Sequence, residues 1–135
     1  MSDHVEELSS IPLFSKLNYR EREVIAGFVS PASYKAGSSI VREGESGRSF
    51  YVITSGSVEV TSEGKLLRVL GAGDFFGEMA VLGEGSRTAT VTARSDVELW
   101  AMLGADLTRL NSDHPDVAAQ LAAAVTGRSA DRSQE

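Results

Sequence analysis

Between Phe76 and Thr90 the chain reads FGEMAVLGEGSRTAT, and the residue types in that stretch are those that hold a phosphate. Gly77 has no Cβ, so its backbone can approach a ligand closely. Glu78 to Leu82 is long enough for one short helical turn, whose free N–H groups would face an anion. Arg87 supplies a planar, permanently charged fork that matches phosphate oxygens two at a time. A carboxylate and a guanidinium nine positions apart, Glu78 and Arg87, mean little alone. Their weight comes from the elements that must position them.

Those elements change character along the chain. Asn18 followed by Glu21 has the spacing of a capping box, and predicts a helix from Tyr19 to Gly27 with Val24, Ile25 and Phe28 as its apolar stripe. From Ser30 to Met102 the pattern turns to short β-rich runs: Ser39 to Arg42, Phe50 to Thr54, Val58 to Thr61, Leu66 to Leu70, Thr88 to Ala93 and Val97 to Met102. Ten of the thirteen glycines fall between Gly37 and Gly85, the spacing expected of turns between short strands. No helix-length segment separates those strands, so a mainly β barrel, sandwich or jelly roll is expected rather than a βαβ fold. Glu63-Gly64 reads as a tight hairpin tip. Helical pattern returns at Ala105 to Asn111. Pro115 then opens a last helix, with Val117, Leu121 and Val125 as its stripe and Gly127 as its stop.

The expected organisation is an N-terminal helical segment over 1–28, a β-roll over 29–103 holding the cassette 76–90, C-terminal helices over 104–127, and a disordered tail over 128–135. Trp100 is read as core. His114, just ahead of Pro115, is read as helping to start the last helix.

Composition narrows the function classes. With 135 residues, 41% of them hydrophobic, the chain can bury a core as one domain without staples. It has no cysteine, which excludes disulfides and thiolate chemistry and fits a reducing cytoplasm. The two histidines, His4 and His114, are too few for a histidine-rich metal site. A net charge of −6 argues against a nucleic-acid surface, which needs clustered cations. The acidic start MSDHVEEL has no apolar core of a leader, and no apolar run reaches bilayer length, so no membrane contact is expected.

A helix, then a roll containing FGE and Arg-Thr-Ala, then closing helices, resembles the cyclic-nucleotide-binding domain family. The matching positions are Gly44-Glu45-Ser46-Gly47, Phe50-Tyr51-Val52-Ile53 with Gly56, Val58 and Val60, Gly73-Asp74-Phe75-Phe76-Gly77-Glu78, and Arg87-Thr88-Ala89. The resemblance implies an antiparallel, jelly-roll-like β-roll that binds cAMP, or cGMP, without a metal and without catalysis. It places the ligand on Phe76, Gly77, Glu78, Met79, Ala80, Arg87, Thr88 and Ala89. In that scheme Arg87 and the backbone N–H groups around Ala80 and Ala89 meet the cyclic phosphate, Glu78 accepts from the ribose 2′-OH, and Val60 and Leu70 wall the base. Occupancy would pass through the flanking helices to a protein effector or a fused effector domain.

Plainer readings stand beside these. Arg87 could be a surface cation paired with Glu84 or Glu78, and Glu78 a helix N-terminal acid. Thr88 suits either a ligand contact or simple β propensity, and Val60 and Leu70 suit a plain core. The loop Gly83-Glu84-Gly85-Ser86 lacks the proline that the family often places before the arginine, and Glu84 adds a negative charge there. The closing helix carries no aromatic residue to cap a base. Two other functions were weighed: a member of the family with a non-binding pocket acting as an interaction domain, and a cupin-like metalloenzyme, which would need converging metal ligands.

Overall fold

Asn18 begins a helix as its spacing predicts. Its Oδ1 accepts from the Glu21 N–H at 2.8 Å and the Glu21 carboxylate accepts from the Asn18 N–H at 2.9 Å, so two orphan donors are satisfied reciprocally. In the computed structural model, which describes residues 8, 11–15, 17–42, 44, 49–77 and 89–131, this helix is α1, Tyr19–Ala26. It is preceded by a 3₁₀ turn, Pro12–Phe14. Ile25 is fully buried, and Val24 and Phe28 pack beside it.

Among the described residues eight strands follow: β1 Ser30–Tyr34, β2 Ser39–Val41, β3 Phe50–Ser55, β4 Ser57–Ser62, β5 Lys65–Gly71, β6 Phe75–Phe76, β7 Thr90–Ala93 and β8 Val97–Met102. They form two antiparallel four-stranded sheets, ordered β1-β8-β3-β6 and β2-β7-β4-β5. Apart from the β4–β5 hairpin, successive strands change sheet, as in a jelly roll. At one such corner the single residue Gly56 joins β3 to β4. The expected hairpin tip is present: Glu63 and Gly64 both have positive φ, at 52° and 78°, as a two-residue type I′ turn requires.

Two strands escape the sequence pattern. β1 contains Pro31, which cannot donate to a ladder, but β1 is an edge strand paired only with β8, where a proline is tolerated. β6 has two residues, too few to show an alternation.

The sheet β1-β8-β3-β6 separates two cores. Between the sheets lie Tyr51, Ile53, Val58, Val60, Leu70, Phe76, Val91 and Leu99. On the other face, Phe50, Val52, Phe75 and Met102 meet Phe14, Ile25 and the C-terminal helices. These helices are α2, Gly104–Asp113, and α3, Pro115–Asp131. Val117, Leu121 and Val125 are buried to 1% exposure or less, as their spacing predicts, and each contributes about 1.5–3 kcal/mol of burial. Trp100 is core. His114 links the two helices: its N–H donates to Leu110 O and its carbonyl accepts from the Ala118 N–H at 2.9 Å. Arg20 on α1 bridges to Asp116 on α3 at 3.2 Å.

Gly127 does not stop the last helix. A glycine ends a helix where its backbone turns left-handed, and Gly127 does not; the helix passes through it to Asp131. Residues 128–131, expected in a disordered tail, are therefore helical backbone, while 132–135 lie outside the described residues. No helix among the described residues is long and apolar enough to cross a membrane.

Candidate functional site

The β4–β5 hairpin builds one wall. Its register sets Val58 opposite Leu70 and Val60 opposite Arg68. Because side chains alternate along a strand, Val60 and Leu70 face the same way, and both are buried in the core between the sheets.

β6 builds the approach. Phe76 pairs in register with Tyr51, and their rings stack with centroids 4.9 Å apart and planes 24° apart. The strand starts from a pinned turn: the Asp74 carboxylate accepts from the Gly71 N–H at 2.9 Å, and the Ile53 N–H donates to Asp74 O at 2.8 Å. It ends at Gly77, whose φ of 80° directs the chain away in a conformation that residues with a Cβ rarely adopt. The chain re-enters the described structure at Ala89, which packs against the same core between the sheets. Phe76 and Ala89, on either side of the segment 78–88, thus belong to one apolar core with Val60 and Leu70.

Glu78, Met79, Ala80, Arg87 and Thr88 lie outside the described residues, as do the expected helical turn over 78–82, the loop 83–86 and Glu45-Ser46-Gly47. Of the predicted site residues, Val60, Leu70, Phe76 and Ala89 share that core, and Gly77 follows Phe76 at the end of β6. Among the described residues no group of His, Asp or Glu side chains could hold a metal ion.

Two residues on this face were passed over in the sequence. Tyr51 matters through its stack on Phe76. Arg68 lies between Leu66 and Leu70 in the alternation, on the Val60 side, half-buried with its Nε shielded from solvent. The signal was available: position 68 shares the parity of Leu70, so an inward Leu70 takes Arg68 with it. A cation on that face suits a ligand rich in acceptors. Tyr34, packed against the same core, has its phenol pushed above the ordinary value, by burial first and by Tyr51 second.

The family model for the cyclic nucleotide-binding domain matches residues 31–114. The chain belongs to the cyclic nucleotide-binding domain family. The matched span runs from β1 to the junction before α3, and so encloses the roll and the segment 78–88. The cAMP-dependent protein kinase regulatory subunit of Schizosaccharomyces pombe is 39% identical over 93 residues, covering 68% of this chain and 23% of that protein. The cGMP-dependent protein kinase egl-4 of Caenorhabditis briggsae is 36% identical over 129 residues, covering 85% of this chain and 17% of that protein. The regulatory domain of Toxoplasma gondii protein kinase A, solved with cAMP, superposes with a TM-score of 0.79 at 25% identity, over 98% of this chain and 49% of that one. The chain therefore spans a quarter or less of the length of these two curated relatives. A cyclic nucleotide-binding domain of the regulatory kind is what the roll and its flanking helices constitute.

Proposed function

We propose that the chain binds cAMP in the cassette 76–90 and signals its occupancy through α2 and α3. The observation that carries this is that Phe76 and Ala89, which flank the segment expected to hold the phosphate, share one apolar core with Val60 and Leu70. A base laid against Val60 and Leu70 would set its cyclic phosphate beside the segment that bears Arg87. Arg87 then holds the exocyclic oxygens, with the backbone N–H groups around Met79, Ala80 and Ala89, while Glu78 accepts from the ribose 2′-OH and Thr88 offers a hydroxyl. Adenine is preferred to guanine here on the company the chain keeps: the fission-yeast relative is named for cAMP and the Toxoplasma domain was solved with it.

The role is binding rather than catalysis, without a metal. In this reading residues 1–28 form a helical segment, 29–103 the sensing roll and the helices from 104 the output. The reader of that output is a protein effector, separate or fused, as kinases are in the relatives' names. A cytoplasmic location belongs to the same proposal, since a cysteine-free composition suits a reducing compartment.

Calorimetry with cAMP and cGMP tests the reading directly. The parent should bind cAMP more tightly than cGMP. Arg87→Ala should lose about 3–5 kcal/mol, several hundred-fold in affinity, because the phosphate would lose its counter-charge in a partly dry site. Binding by Arg87→Ala within a few-fold of the parent would remove Arg87 from the site. No heat from either nucleotide would favour the interaction-domain reading.

A further inference from the structure

Adjacent residues of a strand point to opposite faces, and in β6 the two faces are two different cores. Phe75 belongs to the helix-side core, with its ring centroid 5.6 Å from that of Phe50 and with Val117, Leu121 and Val125 in the same cluster. Phe76 belongs to the core between the sheets, stacked on Tyr51 beside Val60, Leu70 and Ala89. β3 and β8 also contribute to both cores, but each is held by partner strands on both sides. β6 pairs with β3 at two positions, Tyr51 with Phe76 and Val52 with Phe75, and lies at the edge of its sheet among the described residues.

The ends of β6 differ as well. Its start is pinned by the Gly71–Asp74 turn, where Gly73 N–H donates to Ile53 O at 2.8 Å and a Cβ at Gly73 would sit 3.3 Å from Pro12 Cδ. Its far end is Gly77, the first residue of the cassette proper. A pull on Gly77 would therefore pivot β6 about Asp74 and move both rings together, one in each core.

We infer that the Phe75–Phe76 pair is the positioning element that carries cassette occupancy to the α2–α3 hairpin, with Phe75 as its output side chain. This rests on the reading that the cassette binds a cyclic nucleotide. A ligand shifts a conformational equilibrium only by interacting differently with its two states, so ordering of Gly77 must reach α3 through matter that differs between them. A close-packed interior transmits the displacement of a rigid ring in a way that it does not transmit that of a smaller, loosely held side chain.

Amide hydrogen exchange of residues 104–126, with and without saturating cAMP, tests this on the whole chain, with calorimetry in parallel. The parent should show exchange there slowed on the order of tenfold by cAMP, within the usual range of coupling between sites. Phe75→Leu should keep cAMP affinity within a few-fold while that slowing falls to about twofold, and Phe75→Tyr, which keeps the rigid ring, should retain most of it. Phe14→Leu makes the same deletion in the same core, on the 3₁₀ turn rather than on β6. It should lower stability comparably and leave the slowing intact.

If Phe75→Leu retains the full slowing, or Phe14→Leu abolishes it equally, the pair is only core and the inference is overturned. Failure of Phe75→Leu to fold would move the test to Phe75→Met, which also lacks the ring, and full slowing in that variant would likewise overturn it. A parent that binds neither nucleotide overturns the functional reading and the coupling together. A parent that binds without any change in 104–126 overturns the coupling alone.

Discussion

Gly56 joins the two sheets with φ at 87°, and a Cβ there would lie 2.3 Å from Asp96 O and 3.0 Å from Val97 Cα. Those contacts are backbone, so nothing flexible can yield. Gly56→Ala is expected to cost more than about 2 kcal/mol, combining steric overlap with an unfavourable φ, and a urea midpoint well below the parent's would record it. Gly64, also at positive φ, meets nothing within 4 Å, so the same change there should cost only the backbone strain. At the ligand, Glu78→Ala is expected to weaken cAMP by about 1–3 kcal/mol and to weaken 2′-deoxy-cAMP much less, since that analogue lacks the donor. Losses that add fully across this cycle would mean that the carboxylate and the ribose hydroxyl never meet.

At the scale of elements, α3 shows how a local signal is overridden. Glycine in a helix interior is destabilising, yet α3 continues through Gly127 and a Cβ there would find open space. Gly127→Ala should therefore raise stability by about 0.5–1 kcal/mol, chiefly by restricting the unfolded chain. A lower thermal midpoint in that variant would show that the helix does end near Gly127. The junction before α3 is more than a hinge. Phe28 is met edge-on by His114 at 6.1 Å, and the Arg109 guanidinium lies 5.2 Å from the Phe28 ring centroid. With the Arg20–Asp116 pair, these contacts tie α1 to both closing helices. The Val117 N–H and the Arg20 guanidinium, against a desolvation that pushes upward, hold the Asp116 carboxyl below the ordinary aspartate value.

Over the whole molecule, the division into two cores sets what can move. The roll is held by ladders on both sheets, whereas α3 rests on a narrow stripe of Val117, Ala118, Leu121 and Val125. A helix held by one apolar stripe opens at less cost than strands held by ladders. Saturating cAMP is expected to slow amide exchange in 115–126 as well as in 77–90. Slowing confined to 77–90 would leave a binding site without this output and direct attention to α1. Ligand at a hundred times its dissociation constant should also raise global stability by about 2.7 kcal/mol, which a thermal scan against concentration would register.

What the sequence determined by itself is whatever is encoded locally. The Asn18–Glu21 box, the type I′ turn at Glu63-Gly64, the alternation of β4 and β5 and the Val117-Leu121-Val125 stripe all depend on neighbours within a few residues, and all are present. The run proposed to bind the phosphate is local in the same way, a set of residue types at short spacing. Tertiary structure decided the rest. Pro31 is acceptable in a strand only because β1 lies at an edge beside β8, about seventy residues away in register. The inward cation Arg68 reads as surface until Val60 fixes its face. Phe75 and Phe76 look alike in the chain, and only the sheet between the two cores gives each a different partner, because which face is covered depends on elements distant in sequence.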